Sequence, residues 1–82
     1  MKKILYFNAS WCGPCRSLKP VVESLKNELV IESINVDENP QLAQEYGIRS
    51  IPALVFEKDG HTLNKKLGVL TESQIKEIWD NL

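Results

Sequence analysis

With 82 residues, 43% of them hydrophobic, the chain can build one compact domain, residues 1–82, with a modest core and no room for a separate substrate domain. Ten basic and eleven acidic residues leave a net charge of −1, so there is no electrostatic footprint for nucleic acid or an anionic membrane. The apolar run after Lys2 and Lys3 stops at Phe7, too short for a signal-peptide core or a membrane span, and the expected location is therefore cytoplasmic.

Lys3 to Phe7 is rich in strand formers and is expected to be a buried first strand. From Cys12 to about Leu29 the period changes: Leu18, Val21, Val22, Leu25 and Leu29 recur at helical spacing. Val30 to Val36 has the composition of a second strand, and a helical crossover between two strands favours parallel pairing. Asn39-Pro40 suits an N-cap followed by proline at the first helical position, with Leu42, Ala43 and Tyr46 on one face and Gly47 as the stop. Ala53–Phe56 and His61–Leu67 flank Lys58-Asp59-Gly60, a hairpin signal. Thr71-Glu72-Ser73-Gln74 fits a capping box, and Ile75, Ile78, Trp79 and Leu82 form the apolar stripe of a last helix. The order is βαβαββα, an α/β fold.

Trp11-Cys12-Gly13-Pro14-Cys15 falls where the first strand hands over to the first helix. A helix N-terminus offers unpaired N–H groups and partial positive charge, which favour a thiolate at Cys12. Pro14 starts the helix with a fixed φ and Gly13 adds no bulk, so Cys12 is expected to be open to a substrate. Cys15 returns one turn later and can close a disulfide with Cys12; better shielding suits it to a resolving role. A purely structural staple gains little here, because a loop this short yields only roughly 2 kcal/mol. Zinc usually needs four ligands, and the chain offers one C-x-x-C and His61 beyond the hairpin turn, which argues against a metal.

Trp-Cys-Gly-Pro-Cys before a helix, followed by Lys19-Pro20, resembles the thioredoxin family. Asn35-Val36-Asp37 before Asn39-Pro40, Tyr46-Gly47-Ile48-Arg49-Ser50-Ile51-Pro52 and Leu67-Gly68 recur in the family's order, from about Lys3 to the C-terminus. The resemblance implies a thioredoxin fold with a four-stranded mixed sheet in the order 2-1-3-4 and three helices. It also implies a monomeric, cofactor-free thiol–disulfide oxidoreductase that reduces disulfide-containing proteins. Thioredoxin reductase, or glutathione, would supply the electrons. Ile51-Pro52 is similar to the family's cis-proline loop beside the active-site sulfurs. The implied substrate surface is Trp11, Gly13, Pro14, Ile51, Pro52, Gly68 and Val69, around the catalytic Cys12 and Cys15.

The chain also departs from the pattern. Thioredoxins of the common type carry a buried aspartate where Tyr6 stands and often a lysine where Ser33 stands. Losing both avoids a lone buried charge, and a water or the departing Cys12 thiolate is expected to accept the Cys15 proton instead, with Tyr6 a hydrogen-bonding neighbour. The family's usual leading strand and helix are expected to be missing, an outline shared with glutaredoxins, and a glutathione-coupled transferase or a redox-independent binding subunit are the alternatives. Glutaredoxins typically show Cys-Pro-Tyr-Cys and Thr-Val-Pro, and the motif outweighs the length because the dipeptide lies beside the nucleophile.

Overall fold

Side chains that alternate between two covered faces of the central strands build the molecule. In the computed structural model, which describes residues 1–82, β1 (Lys2–Asn8) lies between β2 (Ile31–Asn35), parallel to it, and β3 (Ala53–Lys58), antiparallel, with β4 (His61–Leu67) at the far edge. The sheet order is thus β2-β1-β3-β4, with α1 (Gly13–Leu25), α2 (Pro40–Glu45) and α3 (Glu72–Asp80) as the helices. Ile4 and Tyr6 of β1 and Leu54 and Phe56 of β3 point to one face, where Leu18, Val22 and Leu25 of α1 and Ile75 of α3 cover them. Leu5, Phe7, Ala53 and Val55 point to the other, against Ile34 and Ala43. Period-two alternation on strands buried on both faces explains why their sequences read as nearly continuous apolar runs. No helix is long and apolar enough to cross a membrane.

Helix α1 ends at Leu25, four residues short of the expected Leu29. The amides of Glu28 and Leu29 both converge on the Leu25 carbonyl, at 2.9 and 2.8 Å, so the chain tightens into a turn that still buries Leu29. Asn39 stands at the N-cap of α2 without capping it; its side-chain amide donates to the Asn35 carbonyl instead, at 3.1 Å. The hairpin turn is two residues, Asp59 at φ 53° and Gly60 at φ 83°, the paired left-handed conformation that Asp-Gly adopts readily. Thr71 and Gln74 make the reciprocal capping box at the start of α3.

Candidate active site

Strand β1 delivers the chain to Ala9, and the Cys12 amide donates to the Ala9 carbonyl at 3.2 Å, a tight turn that hands over to α1. Cys12 is the N-cap of α1 and keeps extended backbone angles, φ −84° and ψ 114°. Its sulfur does what a capping oxygen usually does, accepting the Cys15 N–H at 3.2 Å. The same N–H and the helix dipole stabilise negative charge on Cys12 once the pair is reduced. Cys12 and Cys15 are joined as a disulfide with their Cα atoms 5.3 Å apart, inside the roughly 4.4–6.8 Å that such bridges span.

Exposure does not separate the two cysteines as the sequence suggests. Both are 4% exposed, because Cys12 packs with Ala9 and Cys15 against Val36 and Ile51. Position separates them instead. Cys12 Sγ lies 3.7 Å from the Ile51 carbonyl oxygen, beside the exposed Trp11, Gly13 and Pro14, whereas Cys15 lines a cleft between α1, β1 and β2.

The Ile51–Pro52 peptide is cis, and the Gly68 amide donates to the Pro52 carbonyl at 2.9 Å. Residues far apart in the chain thereby meet: Gly68, with φ 88°, is tied to the loop whose Ile51 touches Cys12, and Val69 follows it, half exposed at 49%. Trp11 is 64% exposed, yet its indole N–H donates to Asp37 Oδ2 at 2.7 Å. Sequence reasoning assigned Asp37 no role, although the Asn35-Val36-Asp37 signature held the clue. Asn35 shapes that loop by accepting the Asp37 and Glu38 amides at 2.8 and 3.2 Å.

Behind Cys15, Tyr6 is buried and its hydroxyl donates to the Cys15 carbonyl at 3.1 Å. Burial and then the Glu23 charge push its pKa up. Ser33 pairs with Tyr6 across β1 and β2 and its hydroxyl accepts the Asn8 side-chain amide at 2.9 Å. No three His, Cys, Asp or Glu side chains gather where they could hold a metal ion.

A family model for thioredoxin matches residues 1–81. The chain belongs to the thioredoxin family. It is 45% identical over 73 residues to a thioredoxin of Chlorobaculum thiosulfatiphilum, covering 84% of this chain and 68% of that protein. Against a thioredoxin of Rhodospirillum rubrum the identity is 43% over 75 residues, covering 87% and 72%. A mutant thioredoxin from Halobacterium salinarum NRC-1 superimposes with a TM-score of 0.92 at 38% identity, over 98% of this chain and 73% of that one. The activity of a thioredoxin is thiol–disulfide exchange, and this chain is such an oxidoreductase, with the C-x-x-C pair it requires held at bonding distance.

Proposed function

We propose that the chain is a single-domain, monomeric protein-disulfide reductase of the cytoplasm in which Cys12 is the nucleophile and Cys15 the resolving thiol. The observation that carries this is the Cys12 sulfur at the N-cap of α1, accepting the Cys15 N–H at 3.2 Å. A thiolate held there is stabilised by a backbone donor and the helix dipole together. Its attack on a substrate disulfide forms a Cys12–substrate bond and expels one substrate thiolate. Cys15, deprotonated, then attacks Cys12 Sγ, expels the second substrate thiolate and leaves the Cys12–Cys15 disulfide. Two electrons pass from the cysteine pair to the substrate and no bound cofactor is needed.

Substrate recognition on this reading belongs to Trp11, Gly13, Pro14, Ile51, Pro52, Gly68 and Val69. Trp11, Gly13 and Pro14 are exposed beside Cys12, and such a small, mostly apolar surface suits a partner docking as an extended segment. The electron donor is a thioredoxin reductase.

NADPH-driven reduction of a test protein disulfide decides between donors. Thioredoxin reductase is expected to sustain turnover, Cys12→Ser to abolish it and Cys15→Ser to trap substrate on Cys12. Turnover with glutathione and glutathione reductase alone would replace this reading with a glutathione-coupled transferase.

A further inference from the structure

Resolution of the mixed disulfide requires Cys15 to shed a proton. Cys12 is bonded to substrate at that stage and has no thiolate to receive it, which corrects that expectation from the sequence, and no side chain hydrogen-bonds the Cys15 sulfur. Tyr6 has committed its hydroxyl proton to the Cys15 carbonyl, and a neutral phenol takes no proton from a thiol at neutral pH. Cys15 does line a cleft of about 390 Å³ whose polar wall is Tyr6, Ser33 and Asn35 and whose charged wall is Arg16, Lys19 and Glu23. A space of this size holds several water molecules, each taking roughly 30 Å³. Cys15, Lys19 and Glu23 follow at four-residue intervals and share one face of α1. Glu23 lines the same cleft two turns farther along α1, and its charge acts on Tyr6, the residue behind Cys15.

We propose that this cleft is the proton exit of Cys15, with Glu23 the acceptor at its outer end, reached through cleft water. The inference rests on Cys15 being the resolving thiol. The Cys15 S–H proton passes to water and on to the Glu23 carboxylate as the sulfur attacks Cys12 Sγ; the substrate sulfur leaves with the electron pair of the broken bond, and Glu23 returns its proton to solvent. Glu23 is the only carboxylate on the cleft. Arg16 is turned toward the Ser10 carbonyl at 3.4 Å, and Lys19 adds positive charge that favours a thiolate. From β1 only Tyr6 titrates into the cleft, and β2 contributes the neutral Ser33 and Asn35. Helix α3 approaches α1 through Glu72, which accepts from Ser24 at 3.3 Å, and reaches the turn after α1 through Lys76, which pairs with Glu28 at 2.8 Å. Glu23 itself pairs with Lys26 at 3.5 Å, half exposed, so replacing it leaves the core untouched.

Acting through water, Glu23 is a positioning residue, and its test reads the two half-reactions separately. Reduced protein mixed with the chromogenic aryl disulfide of thionitrobenzoate releases one coloured thiolate when Cys12 attacks and a second when Cys15 resolves. Glu23→Gln should leave the first release unchanged and slow the second about tenfold near pH 6, a small share of what direct acid–base catalysis gives. Near about pH 9 the two proteins should converge as hydroxide takes over the proton. Lys26→Gln, which breaks the same ion pair but keeps the carboxylate, should resolve like wild type. A Glu23→Gln second release that is unchanged, or slowed equally at both pH values, overturns the proposal, as does a Lys26→Gln variant that mimics it. Cys15→Ser should give one release only; two would overturn the assignment of Cys15 itself, a different failure.

Discussion

Tyr6 is held by the core on one side and by the active-site helix on the other. Its ring completes the core beside Leu18 and Phe56, and its hydroxyl holds the first turn of α1 by the Cys15 carbonyl. A buried neutral hydrogen bond of this kind contributes about 1 kcal/mol. Tyr6→Phe is therefore expected to lower stability by about that amount, seen as a lower urea midpoint with an unchanged slope, while disulfide-reducing turnover stays near wild type. Loss of nearly all turnover would instead make the hydroxyl part of the chemistry. This substitution and that of Ser33 are plain in the sequence. That the hydroxyl goes to a backbone carbonyl and not to sulfur depends on how α1 seats on β1, which spacing along a chain does not encode.

Among the elements, α3 owes least to tertiary context at its start and most along its face. Thr71 accepts the Gln74 amide at 3.1 Å and the Gln74 side chain accepts the Thr71 amide at 2.9 Å, a closed local unit that four residues specify. Thr71→Ala should cost about 1 kcal/mol, measured as a lower thermal midpoint with redox turnover unaffected, since α3 lies away from Cys12. The end of α1 shows the opposite dependence. Leu29 continues the helical spacing and is buried, but it reaches the core from a turn, because hydrophobic periodicity reports which side chains go inward and not the backbone that carries them there. Asn39 likewise has the right residue type for a cap, while the competing carbonyl of Asn35 takes its side chain.

At the scale of the whole molecule, long-range polar pairs tie the face opposite α1 to the sheet. Tyr46, just after α2, donates to Glu57 on β3 at 2.7 Å and packs its ring 5.6 Å from Phe7. The bond to Glu57, then burial, pushes the Tyr46 pKa up to about 12. A raised tyrosine pKa contributes stability that is complete below the unfolded value, about 10, and is lost as pH rises toward the folded one. Tyr46→Phe should thus be less stable than wild type at neutral pH, with the gap narrowing between about 10 and about 12; chemical denaturation across that range checks it, and a constant gap would contradict it. By itself, with the sheet order resting on the family resemblance, the sequence determined the seven elements, the C-x-x-C pair at a helix start and the Asp-Gly hairpin. These follow from side-chain period, turn chemistry and helix-start signals, all local or nearly so. Only the tertiary structure decided that Gly68 meets Pro52, that Asp37 holds Trp11, that both cysteines are equally covered, and that Glu23 shares a cleft with Cys15. Each of these joins different segments of the fold or sets side-chain direction, and distances across a packed fold are fixed by how sheet and helices stack rather than by any one stretch of residues.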